Sequence, residues 1–313
     1  MINSSTLNVC PICENKINNK IILFEEKMFR MEGRFEYVDC SNCQAISIVQ
    51  PPINLSRYYP ENNYYSVKKI SFIRRNFMCL RDLAYTVSYP GANLFRRYFP
   101  NSALESTLIA ANKNKQSRIL DVGCGDGQLL KSLARIGMKN LTGVDPLLST
   151  NQNSQGVNLI SGDISIINGE FDLITFHHSL EHIQYPQSIL KYAKKLLAPG
   201  GRVLIRIPTR DSLAYLIYRD NWFQIDAPRH MCLHSHNSIA YIAEQAGLAI
   251  TSIQYDSMPM QFWASEIYQA GLPLGSPKQR IYRLRNQRFY RKLSEFANKN
   301  GVGDQLVVQL IAI

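Results

Sequence analysis

Three patterns that would each identify a class of protein are missing from this sequence. No stretch of about 18 apolar residues occurs, so we predict no membrane-spanning helix, and the polar N-terminus predicts no secretory signal. The glycine-rich stretch at residues 121–127 has neither the G-x-G-x-x-G spacing of dinucleotide-binding folds nor the Gly-Lys-Ser/Thr ending of a phosphate-binding loop. We therefore expect a soluble, cytoplasmic protein whose glycine-rich turn, if it binds a ligand, binds one of another kind.

Acidic residues are the minority among the charged residues. The 24 Asp and Glu are outnumbered by 35 Lys and Arg, which gives a formal net charge of +11. Such a charge suits nucleic acid, an anionic membrane surface or phosphorylated small substrates, and charge alone does not choose among them. The 313 residues, 45% of them apolar, are enough for one large domain and a small one.

Cysteine is also sparse, but four of the seven cysteines form two C-x-x-C pairs, Cys10 with Cys13 and Cys40 with Cys43. Thiolates at this spacing converge on one tetrahedral Zn²⁺, and a segment too small for its own core gains its fold from the metal. We predict a structural zinc ribbon, because four thiolates leave no coordination position for a reactive water. The alternative is four coincidental free thiols.

The glycine-rich stretch runs from Asp121 to Gly127 and reads as a turn between a strand and a helix. Glycines at such a turn allow positive φ angles and close approach of a ligand to the backbone, and the next helix offers unpaired N–H groups. We expect a small anionic or zwitterionic ligand there. A glycine-rich turn without a ligand is the alternative.

From Arg118 onward, apolar runs alternate with amphipathic segments, which predicts an α/β fold with a mostly parallel sheet. The predicted strands are 119–122, 141–144, 157–160, 171–176, 201–207, 250–255 and 306–313. Asp121, Asp145 and Asp163 stand where the first three strands end. Because ligands of such sheets bind at the carboxyl ends of the strands, these carboxylates are expected to share one crevice. Each Asp alone could be a helix cap or turn residue.

The ordered motifs Asp-Val-Gly-Cys-Gly-Asp-Gly (121–127), Val-Asp-Pro (144–146), Gly-Asp (162–163), Phe-Asp-Leu-Ile (171–174) and Leu-Ala-Pro-Gly-Gly-Arg-Val-Leu-Ile (197–205) resemble those of class I S-adenosylmethionine-dependent methyltransferases. The resemblance implies a Rossmann-like fold with a mostly parallel seven-stranded sheet and S-adenosylmethionine as the cofactor. By position, it also implies a set of cofactor-binding residues: Asp121, Gly123 and Gly125 at the methionine end, Asp145 at the ribose, Pro146, Leu147, Asp163 and Ile164 around the adenine, and His177 near the methyl group.

We predict three regions: a zinc ribbon at residues 1–50, a helical linker at 51–112 and a methyltransferase domain at 113–313 with insertions at 211–235 and 257–303. Aromatic residues at 211–225 indicate either a lid or core packing. Residues 278–299 are predicted to form a basic helix whose Tyr282, Phe289, Leu293 and Phe296 pack against the protein. Its arginines are interpreted as solvated, with a diphosphate, a lipid-linked glycan or RNA as the alternative partners.

All six histidines lie in two clusters, at residues 177–182 and 230–236. Histidine can remove a proton near neutral pH, and His182 and His230 stand in motifs similar to those of bacterial methyltransferases that carry an N-terminal zinc ribbon, including nucleotide-sugar enzymes. This resemblance implies that His230 is a general base, that His182 assists it and that Tyr64 or Tyr65 lines the pocket. Arg229 departs from the pattern, which tends to have an acidic residue there. His234 and His236 are interpreted as surface or capping residues, and a zinc site in the clusters is an unfavoured alternative.

The sequence thus predicts a methyltransferase for a small-molecule or glycan acceptor, most readily a sugar or nucleotide sugar. Two alternatives stay open. Some rRNA guanine methyltransferases also join a zinc ribbon to this core, and the basic charge suits RNA, although the Asn/Asp-Pro-Pro-Tyr motif of many amino-directed enzymes is absent. A non-catalytic scaffold is the other. The oligomeric state cannot be predicted.

Overall fold

The computed structural model describes residues 9–60, 72–86, 92, 94–96, 101–154 and 156–313. Tyr64 and Tyr65, predicted to line the pocket, lie outside the described residues. The chain forms two compact units. The first contains residues 1–58, 180–190 and 207–308, and the second contains residues 59–179, 191–206 and 309–313. The ribbon, linker and domain boundaries expected from the sequence stay a prediction.

The strands are β1 (Lys20–Glu25), β2 (Arg34–Asp39), β3 (Ile46–Ile48), β4 (Arg118–Val122), β5 (Asn140–Asp145), β6 (Gln152–Ser154), β7 (Val157–Ser161), β8 (Phe171–His177), β9 (Leu197–Pro208), β10 (Cys232–Leu233), β11 (Leu248–Tyr255) and β12 (Gln305–Ala312). The α-helices are α1 (Phe72–Leu83), α2 (Ser102–Ala110), α3 (Gln128–Arg135), α4 (Pro186–Lys195), α5 (Leu213–Tyr218), α6 (His236–Gln245), α7 (Met260–Gln269), α8 (Gln279–Arg285) and α9 (Gln287–Lys299).

A small sheet in the first unit has the strand order β1-β2-β3-β10. Its pairs are antiparallel, with Lys20 opposite Asp39 and Cys232 opposite Ser47. In β2 the apolar side chains Phe35 and Tyr37 are buried and their polar neighbours are exposed, which is the alternation of a strand with one wet face. The last strand of this sheet comes from a region of the chain almost two hundred residues beyond the ribbon.

The large sheet has eight strands in the order β11-β12-β9-β8-β4-β5-β7-β6. The pairs of β4 with β5 and β8, of β5 with β7 and of β8 with β9 are parallel, and only the short β6 is shown antiparallel among these registers. The α/β fold with a mostly parallel sheet is therefore confirmed, and each of the seven predicted strands is present. The eighth, β6, was not predicted, because its sequence Gln-Asn-Ser is polar and exposed.

Two aromatic segments differ in their packing. Trp222 is fully buried, its Nε1 donates to Asp304 Oδ2 at 3.2 Å, and its ring meets Tyr215 edge-on at 5.6 Å. The rings of Tyr215 and Trp222 thus pack into the core of the first unit, and the core-packing alternative holds for these two rings. The predicted basic helix is two helices, α8 and α9, and Phe289 and Phe296 are 60% and 58% exposed instead of packed.

No helix in the part of the chain that the structure describes has both the length and the apolar character needed to cross a bilayer.

Candidate active site

The glycine turn lies in the second unit, between β4 and α3. Gly123 and Gly125 have φ angles of +75° and +54°. A Cβ on Gly123 would clash with the side chain of Ser179, whereas a Cβ on Gly125 would meet no protein atom within 4 Å. Gly123 is therefore required by the packing of the protein itself. Gly125 instead borders open space, as a backbone that faces a ligand does.

Asp145, at the end of β5, ties this turn to the next strand. Its Oδ2 accepts the backbone N–H of Gly125 at 2.8 Å, and its Oδ1 accepts the N–H of Leu147 at 2.8 Å. Each carboxylate oxygen has two lone pairs, so each keeps one for a further donor. Two such acceptors suit the paired hydroxyls of a ribose. Leu147 is 70% exposed and Pro146 is exposed, so an apolar surface lies next to that carboxylate.

Asp121 is 3% exposed and accepts a hydrogen bond from Thr175 Oγ1 at 2.8 Å. Burial raises the pKa of Asp121 to about 7, and the negative charge of Asp145 contributes in the same direction. A buried carboxylate of this kind favours a cationic partner. The ammonium group at the methionine end of S-adenosylmethionine would be such a partner, so the residues of this turn fit that cofactor.

Asp163 and Ile164, predicted at the adenine, have separate local roles. Asp163 is exposed and caps a short 3₁₀ turn, where its Oδ1 accepts the N–H of Ser165 at 2.8 Å. Hydrogen bonds from Ser165 lower the pKa of Asp163. Ile164 is buried, with 1% exposure. Their contact with an adenine stays a prediction.

The histidines that end β8 contact polar residues that the sequence did not indicate. His177 Nε2 lies 2.9 Å from Thr107 Oγ1 in α2. His178 has a φ of +52°, in the left-handed region, and its Nε2 accepts from Arg206 Nη1 at 2.8 Å. The proximity of His177 to a methyl donor is likewise a prediction. Thr107 carried no detectable signal, because nothing in a helix sequence marks a residue that contacts a distant strand.

His182 and His230 lie together in the first unit. Their rings meet edge-on, with centroids 4.8 Å apart. His182 Nδ1 lies 2.8 Å from the backbone oxygen of Arg229, and His230 Nδ1 lies 2.7 Å from that of Gln224. Because a carbonyl oxygen only accepts, both Nδ1 atoms carry the proton in the neutral rings, and the Nε2 of His230 is the basic nitrogen of its ring.

His230 is 3% exposed, and its electrostatic surroundings keep it neutral. Burial and the neighbouring His182 lower the pKa of His230 to about 4, although Asp226 and Glu181 oppose the shift. Asp226 Oδ2 lies 3.8 Å from His230 Nε2. The ring is therefore a free base at neutral pH, with a carboxylate close enough to stabilise the imidazolium that forms when it accepts a proton.

Arg229, noted as a departure from the family motif, is fully buried between two carboxylates. Its Nη2 donates to Glu26 Oε1 and to Asp226 Oδ1, both at 2.6 Å, and its Nη1 donates to the backbone oxygen of Tyr58 at 2.8 Å. Asp226 and Glu26 together raise the pKa of Arg229 further, against the effect of burial. Sequence reasoning missed Glu26 and Asp226, which are 200 residues apart along the chain.

His234 and His236 lie apart from the pair. His234 has no exposed surface, and burial lowers its pKa to about 4, so the surface interpretation is wrong for His234. His234 Nδ1 lies 3.1 Å from Ser238 Oγ. His236 is the first residue of α6, its Nδ1 lies 2.7 Å from Asp211 Oδ2, and the N-cap of the helix is Ser235 and not His236.

Among the residues that the structure describes, two groups of side chains could hold a metal. The Sγ atoms of Cys10 and Cys43 are 3.6 Å apart, those of Cys13 and Cys40 are 3.5 Å apart, and all four lie within 4.8 Å of one another. Zn–S bonds of about 2.3 Å in a tetrahedron place sulfurs about 3.8 Å apart, so this cluster fits zinc. Ligand atoms of Glu181, His182 and His230 also lie within 4.8 Å of one another.

Comparison with known proteins assigns the sequence to a family. A family model described as a methyltransferase domain matches residues 93–253, which is just over half of the chain. The chain belongs to this methyltransferase-domain family.

The curated relatives cover a smaller part. The chain is 39% identical over 111 residues to a ubiquinone biosynthesis O-methyltransferase of Nitrosococcus oceani, a match of 32% of this chain and 47% of the relative. It is 38% identical over 112 residues to the protein of the same name from Aeromonas salmonicida, with the same two shares. The chain spans about half the length of the curated relatives it matches.

Among solved structures, a putative sarcosine dimethylglycine methyltransferase from Galdieria sulphuraria is 14% identical with a TM-score of 0.45. The match covers 70% of this chain and 87% of that one. The [4+2]-cyclase SpnF is 16% identical with a TM-score of 0.43, over 67% of this chain and 80% of that one.

Proposed function

We propose that this protein transfers a methyl group from S-adenosylmethionine to a hydroxyl or an acidic carbon of a small or glycan-type acceptor, with His230 as the general base. The observation that carries the proposal is the histidine pair: the two rings meet edge-on, a backbone carbonyl accepts from each Nδ1, and the Nε2 of His230 is thereby the basic nitrogen of its ring. A base with this geometry is what an acceptor needs when it must lose a proton as it attacks.

The cofactor side of the proposal depends on the glycine turn. Asp121 would hold the ammonium group, Gly125 would leave room for the ligand beside the backbone, and Asp145 would accept the ribose hydroxyls. When bound, S-adenosylmethionine supplies an electrophilic methyl group on a sulfonium. The turn itself performs no chemistry, and its contribution is to hold the donor in one orientation.

The acceptor side depends on His230. Its Nε2 removes the acceptor proton, and the imidazolium that forms is stabilised by Asp226, whose Oδ2 lies 3.8 Å away. Asp226 is suited to this role because it is ionised: burial opposes the charge, but Arg229 and the two histidines outweigh burial and lower the pKa of Asp226. General-base catalysis of this kind typically contributes about 10²- to 10⁴-fold in rate.

The first candidate that we propose for the acceptor is a sugar or nucleotide sugar. The reason is that the ribbon and the motifs around His182 and His230 resemble those of sugar methyltransferases. An intermediate of ubiquinone biosynthesis is the second candidate, because the relatives from Nitrosococcus oceani and Aeromonas salmonicida carry that name. Those relatives match about a third of this chain, so their name weighs more for the methyl transfer than for the acceptor.

We further propose that the four cysteines bind one structural Zn²⁺. Three of them are buried, and the two knuckles repeat one backbone geometry, with the N–H of Glu14 bonded to Cys10 O and that of Gln44 bonded to Cys40 O. Both Glu14 and Gln44 have left-handed φ angles, of 58° and 60°. All four coordination positions would be taken by thiolates, so this zinc would stabilise structure without binding substrate.

The test is a radiolabelled methyl-transfer screen against nucleotide sugars, lipid-linked glycans, ubiquinone-biosynthesis intermediates and unmodified rRNA. Label in a sugar that is lost in His230→Ala, with cofactor binding retained, supports the proposal. Label found in rRNA alone would identify the protein as an RNA methyltransferase. Absence of S-adenosylmethionine binding in calorimetry would point to a scaffold. Repeating the productive reaction after treatment with a chelator selective for weakly bound divalent ions examines the Glu181, His182 and His230 group separately.

A further inference from the structure

We infer that Glu26, a residue of the ribbon, positions the histidine pair through Arg229 and Asp226, so that the ribbon forms part of the acceptor-side machinery. We call Glu26, Arg229 and Asp226 the carboxylate–guanidinium bridge. The inference rests on the proposed function, because it gives the histidine pair a catalytic task. Glu26 touches neither ring, and it is therefore a positioning residue and not a catalytic one.

The bridge is completely withdrawn from solvent. The side chains of Glu26 and Arg229 have no exposed surface, and that of Asp226 is 3% exposed. Arg229 Nε lies 3.0 Å from both oxygens of Asp226, and its Nη2 binds Asp226 and Glu26 at 2.6 Å. A buried cation needs such compensation, since loss of one partner leaves an unbalanced charge in a medium of low dielectric. The guanidinium is therefore fixed in position and in orientation.

Fixing Arg229 fixes both rings. The backbone oxygen of Arg229 is the group that holds His182 Nδ1, at 2.8 Å. Asp226 faces His230 Nε2, and its own backbone oxygen accepts the N–H groups of Arg229 and His230 at 2.9 and 3.1 Å. Asp226 also has a φ of +40°, a conformation that side chains other than glycine adopt at a cost. Such a conformation persists where the surroundings determine it, and here the guanidinium is the surrounding group.

The ribbon supplies the rigid end of the bridge. Glu26 accepts the backbone N–H groups of Phe29 and Met31 at 3.0 and 2.9 Å, which locks its carboxylate in the turn between β1 and β2. Two further contacts reach the same segment: Tyr37 Oη, in the ribbon, donates to the backbone oxygen of His230 at 2.9 Å, and Tyr58 O, just beyond the ribbon, accepts from Arg229. The segment that carries His230 is thus held by two side chains of the ribbon and by one backbone oxygen that follows it.

The chain offers a matched control for Glu26. Glu25 is the preceding residue and the last one of β1, its side chain is 47% exposed, and it pairs with the exposed Arg34 at 2.9 Å. Glu26→Gln removes the buried charge and keeps the shape and an oxygen acceptor, whereas Glu25→Gln removes a solvent-screened charge from the neighbouring position. Tyr37→Phe is the second test variant, because it deletes a single hydroxyl that reaches His230 O and leaves the ring in the sheet.

The experiment compares Glu26→Gln, Glu25→Gln, Tyr37→Phe and wild type in full-length, zinc-loaded protein. The first readout is the nitrogen-15 spectrum of the histidine rings, which reports the tautomer and needs no substrate. We expect wild type and Glu25→Gln to show both rings protonated at Nδ1, and Glu26→Gln to show a mixture at His182 or His230. For the best acceptor of the screen, we expect kcat to fall about 10- to 100-fold in Glu26→Gln, with a smaller fall in Tyr37→Phe and an unchanged Kd for S-adenosylmethionine.

Two results would separate the inference from the proposed function. Unchanged tautomers and unchanged kcat in Glu26→Gln, relative to Glu25→Gln, would overturn the bridge even if His230→Ala abolished turnover. Altered tautomers in Glu26→Gln together with full activity of His230→Ala would leave the bridge as the positioning element and remove the catalytic role of the pair. If Glu26→Gln does not fold, the spectrum and kcat of Tyr37→Phe decide, and values identical to wild type there count against the inference.

Discussion

The glycine turn and the histidine pair are built in opposite ways. The turn is the more local of the two: its hydrogen bonds come from its own residues, from α3, from Val144 and Asp145 in β5, and from Thr175 and Ser179 in and just after β8. The histidine pair depends on residues from three distant parts of the chain, near positions 26, 182 and 230, which buried charges bring together. A binding site for a common cofactor can be encoded largely by one short sequence motif. A site for a particular acceptor here requires the fold of the whole first unit.

The two regions also differ in how charge is handled. Asp121 is buried with only a neutral hydroxyl as its hydrogen-bond donor, and its raised pKa leaves it ready for a cationic ligand. Asp226 is equally buried, but Arg229 already neutralises it, and its pKa is lowered. In the proposed function, the first carboxylate therefore binds the cofactor's ammonium group, and the second supports the structure and the charge on His230. Changes at the glycine turn should therefore affect cofactor binding, and changes around the histidine pair should affect turnover.

Zinc removal is the strongest way to break the comparison. Chelation of the four cysteines, or Cys40→Ser, should abolish turnover, because the proposed Zn²⁺ would stabilise the segment whose Glu26 and Tyr37 bond to Arg229 and His230. S-adenosylmethionine binding should persist, since the turn lies in the other unit. Metal analysis, calorimetry and the methyl-transfer assay on the same preparation check this. Equal loss of binding and turnover would contradict it.

Replacement of His230 should have the next largest effect. His230→Ala should lower kcat by about 10²- to 10⁴-fold with an unchanged cofactor Kd. Because the pKa of His230 is lowered to about 4, the base stays unprotonated as pH falls, and kcat/KM should hold well below the ordinary histidine value of 6.5. The measurements are the pH profile of wild type and, as a control, the kcat of His236→Ala. His236 belongs to the same histidine cluster, and its side chain is 34% exposed. A wild-type acid limb near pH 6.5 would rule out His230 as its source.

Much of the fold and the cofactor turn could be predicted from the sequence, for a physical reason. The strands of a mostly parallel sheet are apolar on both faces, so runs such as 171–176 and 201–207 stand out, and C-x-x-C spacing is itself geometric. The strand β6 was not predicted because it is polar. The sequence did not decide between a lid and core packing for Trp222, because burial of an aromatic side chain depends on partners such as Asp304.

Most of the histidine site lay beyond such reasoning. The motif resemblance indicated His182 and His230, but the contact of Glu26 with Arg229 joins residues 203 positions apart. A single sequence holds no periodicity that pairs a ribbon carboxylate with a distant arginine. Arg229 looked like a departure from a pattern, and its burial between two carboxylates is visible only in the fold.

Two glycines of the turn sharpen the comparison within the cofactor region. Gly123→Ala should destabilise the fold by about 1–3 kcal/mol, because its Cβ would clash with Ser179. Gly125→Ala should cost less stability, since its Cβ meets no protein atom, but it should weaken cofactor binding by occupying ligand space. Thermal unfolding and calorimetry of both variants test this. If the two variants were equally stable and lost the same affinity for S-adenosylmethionine, Gly125 would not face the ligand.

The smallest expected effect is a fraction of a proton at Asp121. With a pKa of about 7 in the free protein, this carboxyl is close to half protonated at neutral pH. An ammonium group brought against it favours the charged form, so its pKa falls and binding of S-adenosylmethionine should release up to about half a proton at pH 7. Titration calorimetry in buffers with different ionisation enthalpies measures this release. Asp121→Asn should abolish it and weaken binding, whereas a release that persists in Asp121→Asn would assign the proton to another group.

The same raised pKa makes Asp121 oppose folding as pH rises from about 4 to 7, so Asp121→Asn should flatten that part of the stability profile.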